Sequence, residues 1–360
     1  MPLIWCAISS HGFGHAAQVL PVLNELGRKV PDLKTVLRTR VPRWFFEDRL
    51  SVAWEWSPSE QDIGCVQRGP LKIEIGETWA AYQRLHADWA VRVREEEQAI
   101  RVKKPDLVLS DISYLAVEAG ARAQVSTVGL CNLSWDRVLK SYAEPGRTDQ
   151  LEIIHHIERA YSCADLMIRP SPGVPMPAFR HLVDVGPIAQ HHPSDKGRLR
   201  EATGASPDEP IVLIGFGGVE LDSLPYDRLE QLVPYRFVVS GSVPDQYKRL
   251  RSMSSLPLPF RSLIASVDVL VTKPGYSTIV EAVALAQPVV FVRRYDFVDE
   301  EALVNYVTRY GRAIELPEAD FRSGQWKAAL DAAQTMPHPA ETAPPATGAA
   351  EAASVLARYL

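Results

Sequence analysis

The sequence predicts an α/β protein built as two similar halves, each a parallel sheet wrapped by helices. Three observations carry this. Short apolar runs of strand length alternate with helical stretches from the N-terminus onward; the same alternation begins again after a proline-dense segment; and 360 residues, at roughly 100 to 200 per domain, leave room for two cores. A cleft between two domains is then the first place to look for function.

In chain order, the strands expected in the first half are Leu3–Ser9, Thr35–Thr39, Val52–Trp56, Leu107–Ser110, Ser126–Leu130 and Leu166–Ile168, most of them rich in β-branched or aromatic residues. Glu77–Lys103 reads as one long helix, because Trp79, Tyr82, Leu85, Trp89, Val93 and Ile100 recur every three to four residues with charges opposite. Its aromatic stripe is a core face. Pro170, Pro172, Pro175, Pro177, Pro187 and Pro193 follow closely, at a density that forbids long helices and interior strands. The organisation expected is an N-terminal domain over 1–170, a linker over 171–195 and a C-terminal domain over 196–334. In that second domain Ile211–Ile214, Phe237–Ser240, Val269–Thr272, Val289–Val292 and Ala313–Glu315 are the expected strands. A Pro/Ala-rich segment over 335–347 and an Ala-rich helix over 348–360 complete the chain.

Composition excludes several classes. With 39 Lys plus Arg against 44 Asp plus Glu, the chain has no overall attraction for phosphate polymers, so nucleic acid is not an expected partner. Cys6, Cys65, Cys131 and Cys163 lie far apart, without a Cys-x-x-Cys pair or a histidine in ligand spacing, which speaks against a zinc site and against a disulfide framework. No apolar run approaches the roughly 18 residues of a spanning helix, and the N-terminus lacks a basic segment ahead of its apolar run. A cytoplasmic protein without a resident metal or cofactor is expected.

Two segments carry the chemistry. The first strand runs into His11-Gly-Phe-Gly-His15-Ala-Ala17, where Gly12 and Gly14 permit a tight turn and close approach of a ligand to the backbone at a helix start. Alone, this loop also fits a dinucleotide fingerprint, with Arg38 and Arg40 in place of the ribose-binding acid, as in an NADP site; that redox reading leaves both histidines and the second half unexplained. The other segment is Lys273-Pro-Gly-Tyr-Ser-Thr-Ile-Val-Glu281, in which a strand ends, a helix begins, and backbone N–H groups and hydroxyls converge on one point suited to a diphosphate. Glu281 lies one turn inside, where a carboxylate can accept from a ribose diol; the plainer alternative is a turn glycine and a solvated acid. Gly215, Gly217 and Gly218 form a further turn that either approaches the same phosphates or only eases the loop.

The second segment, with Ala-Gln-Pro-Val-Val-Phe and an acidic patch before Asn305, resembles the nucleotide-sugar signature of GT-B glycosyltransferases, among them the plant UDP-glycosyltransferases and the peptidoglycan N-acetylglucosaminyltransferase. The resemblance implies a GT-B fold, two Rossmann-like domains facing a central cleft. It also implies donor contacts from Gly14, Lys273, Gly275, Tyr276, Ser277, Thr278 and Glu281, with His15 as the catalytic base and Asp111 as its partner. Asp299-Glu-Glu301 stands in a shifted register where plant enzymes present Asp-Gln to the donor sugar, making Glu300 and Glu301 the candidates; Phe260 is the candidate for covering the base. A second likeness, to the N-terminal glycosyltransferase-like half of plant L-arabinokinases, rests on Ser10-His-Gly-Phe-Gly-His15, Gly64-Cys-Val-Gln67, Asn132-Leu-Ser-Trp-Asp136, Pro175-Met-Pro-Ala-Phe-Arg180, Phe216-Gly-Gly218 and Phe291-Val-Arg-Arg294 and covers residues 1 to 332. No kinase signature follows Leu330, so kinase activity is not carried over.

The expected reaction is transfer of a sugar from a nucleotide donor, UDP first among candidates, to a hydroxyl on a small-molecule or lipid-linked acceptor, with inversion and without a metal. His15 takes the acceptor proton and Asp111 fixes its tautomer; Lys273 and the helix N-terminus offset charge on the leaving diphosphate. His11, Asp62, Gln67, Trp135 and Asp136 fall in first-half loops where an acceptor would sit, although for Trp135, opening a helix, core packing is the better reading. Arg40-Val-Pro-Arg-Trp44-Phe-Phe46 leaves peripheral membrane contact open, with burial of Trp44 or Phe46 the simpler reading. The alternatives are a nucleotide-sugar-binding regulator without transfer activity and a nucleotide-sugar epimerase.

Overall fold

The structure, a computed structural model, describes residues 1–190, 192–217 and 224–360. The first half forms a seven-stranded sheet from β1 (Leu3–Ile8), β2 (Lys34–Arg38), β3 (Ala53–Ser57), β6 (Leu107–Asp111), β7 (Ser126–Leu130), β8 (Leu166–Pro170) and β9 (Leu182–Val185), in the order β3-β2-β1-β6-β7-β8-β9. A two-stranded hairpin, β4 (Gln67–Arg68) and β5 (Lys72–Ile73), stands outside it. The second half forms a six-stranded sheet from β10 (Ile211–Ile214), β11 (Arg236–Val239), β12 (Leu250–Ser252), β13 (Val269–Thr272), β14 (Val289–Phe291) and β15 (Ala313–Glu315), in the order β12-β11-β10-β13-β14-β15. Every pairing in both large sheets is parallel. Sheets of this kind are covered on both faces, which is why their strands read as continuous apolar runs such as the fully buried Ile211–Ile214.

Both strand orders reverse once, between β1 and β6 and between β10 and β13. Crevices open at the carboxyl ends of strands at such points, because the two neighbouring loops leave in opposite directions. At the first, Ile8 pairs with Asp111, so the Ser9–Phe13 loop and Asp111 emerge together. At the second, Ile214 pairs with Val271, so the Gly215–Gly217 turn and Thr272-Lys273 emerge together.

Three sequence expectations need correction. Glu77–Lys103 is two helices, Ile75–Ala87 and Trp89–Lys103: Asp88 leaves helical geometry (φ −108°, ψ 17°) and ends one helix as it starts the next. Asp is a poor interior helix residue, and the break aligns Trp89 to stack on Tyr114 (4.6 Å) and donate to Glu118 (2.7 Å). The proline-dense segment read as linker contains β9, which joins the first sheet at its edge, where prolines nearby cost no interior ladder bonds. The three-residue strand β12 was not expected at all; its single buried residue, Leu250, gives no strand signal.

The chain finally returns to the first half. Helix Gly348–Leu356 packs on helix Gly14–Lys29. The Gly348 N–H donates to Pro187 (3.1 Å) and the Gly186 N–H to the Glu351 carboxylate (2.8 Å). A side chain at Gly348 would meet the Gly186 carbonyl at 1.9 Å, so only glycine fits that approach. Among the described residues, no helix is long and apolar enough to cross a membrane.

Candidate active site

A cleft at the two crevices is lined from the first half by His11, Gly12, Gly14, His15, Gln18, Gln67, Asn132 and Leu133. From the second half come Gly217, Thr272, Lys273, Gly275, Tyr276, Ser277, Thr278, Arg294, Phe297 and Asp299.

On the first wall, His15 stands in the opening turn of helix Gly14–Lys29 and its Nδ1 meets Asp111 Oδ1 at 3.1 Å, with His15 11% exposed and Asp111 fully buried. A carboxylate only accepts, so in the neutral ring Nδ1 carries the proton and Nε2 keeps a free lone pair. Burial alone pulls the imidazole down, but the charge and hydrogen bond of Asp111 overcome this and hold His15 well above the usual histidine value. The other Asp111 oxygen accepts the Ser9 N–H (3.2 Å), which fixes the carboxylate. His11 has the opposite character. Its Nδ1 accepts the Cys65 N–H (3.2 Å), its ring stacks on Phe297 (5.9 Å, 4°), and burial together with His15, Lys273 and Arg294 holds it well below the usual value. It is a neutral imidazole with Nε2–H as its donor.

Gly64 is glycine for a local reason, since its φ is +66° and a Cβ there would stand 2.5 Å from His11 Nδ1. Asp62 and Trp135 sit behind the histidines rather than in the cleft. Asp62 accepts from Ser9 Oγ (2.9 Å) and Trp135 Nε1 (3.0 Å), and burial pushes its carboxyl up to about 6. Trp135 is fully buried, its ring 5.5 Å from His11 and 5.9 Å from His15. Asp136 is likewise buried and does not line the cleft.

On the second wall, helix Tyr276–Ala284 has no side-chain cap, and its first internal bond runs from Ile279 N–H to Gly275 (2.9 Å). The N–H groups of Tyr276, Ser277 and Thr278 are therefore left without intrahelical partners at the positive end of the helix dipole. Lys273 stands beside them; burial, and then the neighbouring Arg294, bring its amine down to about 7. Arg294 is held by the Pro274 carbonyl (2.7 Å), by Glu300 (3.4 Å) and over the face of Phe297 (4.4 Å).

Several expected donor residues are committed elsewhere. The Tyr276 hydroxyl donates to the Ser171 carbonyl (2.9 Å) and accepts the Ile188 N–H (3.0 Å); Ser277 Oγ donates to the Gly14 carbonyl (3.1 Å). Glu300 is buried against the Arg294 backbone (2.9 Å), and Glu301 is exposed and paired with Arg293 (2.7 Å), so Asp299 reaches the cleft and they do not. Glu281 is half-buried, takes part in an interaction of its own and is not among the lining residues. Phe260 packs over Gly215, where a Cβ would come within 3.1 Å of its ring. Gly218 lies outside the described residues.

The redox reading loses its arginines. Arg38 donates to the buried Glu96 (3.2 Å) and to Ser57 (2.9 Å), and Arg40 pairs with Glu60 (2.7 Å). Among the described residues, one group could hold a metal: His15, Asp111 and Cys131. Burial and Asp111 push the Cys131 thiol up to about 11, and its sulfur lies 3.9 Å from His15 Nδ1.

Sequence reasoning did not name Gln18, and it used Asn132, Arg294 and Asp299 only as parts of motifs. A signal for Gln18 was present, since it lies three residues after His15 and so on the same helix face. Asn132 and Asp299, 167 residues apart, meet at 3.1 Å across the cleft, a pairing that no local pattern encodes.

No protein-family model matches the chain. Its sequence is 28% identical over 338 residues to L-arabinokinase of Arabidopsis thaliana, a match covering 91% of this chain and 32% of that protein. The chain thus spans about a third of the length of the curated relative it matches. Among solved structures, it is similar to the glycosyltransferase of kitacinnamycin (TM-score 0.64, 14% identity, 99% of this chain and 94% of that one). It is also similar to CalG4, the calicheamicin glycosyltransferase (0.62, 16%, 100% and 98%), and to Phytolacca americana UGT2 complexed with UDP-2-fluoro-glucose and pterostilbene (0.61, 12%, 100% and 94%). The fold is GT-B: two Rossmann-like α/β halves facing a central cleft.

Proposed function

We propose that this protein is a glycosyltransferase that moves a sugar from a nucleoside diphosphate donor, UDP-linked in the first instance, to a hydroxyl of a small acceptor. The observation that carries the reading is the pairing of two walls. A buried His15–Asp111 dyad on one faces an uncapped helix N-terminus flanked by Lys273 on the other, across one cleft.

In this mechanism the acceptor hydroxyl donates to His15 Nε2. As its oxygen forms a bond to the anomeric carbon, the proton passes to Nε2 and the bond from that carbon to the diphosphate oxygen breaks. Asp111 stabilises the imidazolium that results. The N–H groups of Tyr276, Ser277 and Thr278, with Lys273, take up the charge on the departing diphosphate. Base and leaving-group sites occupy opposite walls, an arrangement that gives in-line displacement and inversion. None of these roles calls for a metal ion. The known complexes of similar fold support a nucleotide donor, one being with UDP-2-fluoro-glucose and another, VinC, with dTDP. A cytoplasmic setting suits the four unpaired cysteines.

The test is calorimetric titration with UDP, dTDP, GDP, ADP and NADP, on the wild type and on Lys273→Met and Glu281→Ala. One nucleoside diphosphate should bind and be weakened by Lys273→Met. Binding of NADP with no diphosphate binding would sink the assignment. The anomer of the product, read by NMR with the matching nucleotide sugar, tests inversion.

A further inference from the structure

The acceptor half of the cleft holds a chain of hydrogen bonds that ends in unmet groups. Asn132 Nδ2 donates to Asp299 Oδ2 (3.1 Å). With its amide nitrogen thus turned toward a carboxylate, Asn132 presents Oδ1 to its other neighbour, and Gln18 Nε2 donates to it (3.4 Å). Gln18 must then turn Oε1 away from Asn132. Both ends of the chain, Gln18 Oε1 and Asp299 Oδ1, are buried acceptors with no hydrogen-bond partner, Asp299 Oδ1 having only the longer ion pair with Arg294 (3.8 Å), in cleft-lining residues only 2% and 3% exposed. Gln67, also lining the cleft, has a buried amide donor, Nε2, with no partner.

Buried polar groups left unmet are unfavourable, and a set of them around a cleft is complementary to a ligand that would meet them. Two acceptors and a donor are complementary to hydroxyls, each of which donates one hydrogen bond and accepts others. A flat apolar molecule would leave all three unmet, a mismatch that a site built for hydroxyls rejects strongly. Position assigns the ligand to a side. Gln18 lies one helical turn beyond His15 on the same face, beside the base and across from the helix N-terminus.

We infer that the acceptor is a small polyhydroxylated molecule, a monosaccharide or cyclitol, whose neighbouring hydroxyls are gripped by Gln18 and Asp299 from opposite walls of the cleft. This rests on the glycosyl-transfer reading of the same cleft. It separates the protein from a neighbour of similar fold whose complex contains pterostilbene.

The experiment is ligand-observed NMR and calorimetry on the full chain, with and without whichever of UDP, dTDP, GDP or ADP binds. The probes are D-glucose, D-galactose, D-xylose, L-arabinose, myo-inositol and pterostilbene. At least one polyol should bind, and Gln18→Met should weaken it about tenfold, as loss of one buried hydrogen bond does, while nucleotide affinity stays within about twofold. Asp299→Asn, which keeps shape and removes the accepting carboxylate, is the second variant, and a thermal melt shows that each is folded. Binding of pterostilbene without any polyol, polyol affinity indifferent to both variants, or no binding by any probe would each overturn the inference. Polyol binding without nucleotide binding would sustain it and overturn the donor assignment instead.

Discussion

Replacing Asp111 with Asn tests the dyad most sharply, because it changes a charge and almost nothing else. In the wild type, Asp111 Oδ1 lies 3.1 Å from His15 Nδ1 and the carboxylate is fully buried. When the acceptor proton arrives at Nε2, imidazolium and carboxylate attract by about 5 kcal/mol at an effective dielectric constant of 20. Asparagine removes that attraction, and its amide can donate to Nδ1, which moves the resting proton to Nε2 and leaves the wrong tautomer for a base. At about 1.4 kcal/mol per tenfold, the loss is on the order of 10³- to 10⁴-fold in kcat, near the upper end of general-base effects. The assay is transfer or donor turnover across pH. The wild-type rate should rise as pH climbs through the raised value of His15, since only the neutral ring accepts a proton. In Asp111→Asn, burial remains and the carboxylate does not, so this limb should move to lower pH while the plateau collapses. Stability runs the opposite way to the rate. A raised histidine stabilises the fold fully below its unfolded value of about 6.5 and ceases to do so as pH rises through its folded value. The melting deficit of the variant should therefore be larger at pH 6 than in alkali. A plateau within tenfold of wild type, or a limb that stays in place, would refute the role given to Asp111.

Further predictions follow from other groups. Lys273 is brought down to about 7 by burial and Arg294, so a diphosphate arriving beside it should draw a proton onto the amine. Calorimetry of nucleotide binding at pH 7.5 in phosphate and in Tris should show uptake of a fraction of a proton, which Lys273→Met abolishes. His86, stacked on Trp89 and bonded to Tyr114, is held down at about 4 by burial and by His156. Its contribution is present above about 6.5 and is lost as pH falls toward 4, so denaturant midpoints should show about 2 kcal/mol less stability at pH 5 than at pH 7 from this group; His86→Gln should flatten that slope. Trp135→Phe removes the donor to buried Asp62 and should cost about 2 to 4 kcal/mol, whereas Trp44→Ala, at a residue 56% exposed, should stay within about 0.5 kcal/mol in the same unfolding assay. Gly64→Ala forces a side chain at φ +66° into His11 and should lower activity more than it lowers the melting temperature.

What the sequence revealed and what it withheld divide along a physical line. Parallel strands are buried on both faces, so β1, β6, β10 and β13 announce themselves as apolar runs, and the residues that follow them lie at or beside the candidate cleft. His15, Asp111 and Lys273 were legible for that reason. The helix break at Asp88 was not, because Trp89 keeps the apolar period on both sides of it. Nor was β9, since proline density excludes interior strands but not an edge strand. Glu300 and Glu301 look like sugar-binding acids in sequence, yet the turn after β14 spends both on arginines and brings Asp299 to the cleft. Choice among adjacent acids depends on which way one loop turns, and that is set by Arg294 gripping the Pro274 carbonyl.

The contacts across the seam are themselves informative, because they fall on the residues to which substrates are assigned. Ser277 gives its hydroxyl to Gly14, Asn132 gives its amide to Asp299, and Phe297 lies flat on His11. A diphosphate at the helix N-terminus competes for the first of these, and a polyol beside His15 completes the second. Donor and acceptor therefore act oppositely on closure: the donor exchanges a protein bond for its own, while the acceptor adds bonds to both walls and holds them together. Since a ligand shifts an equilibrium only by its differential affinity for the two states, the proposed polyol acceptor should be the substrate that favours closure of this cleft. Amide exchange at Phe297, outside the helix N-terminus that binds the diphosphate, should accordingly slow on adding the polyol to the nucleotide complex, and slow little on adding the nucleotide alone. Equal protection by the nucleotide alone would show that closure belongs to the donor.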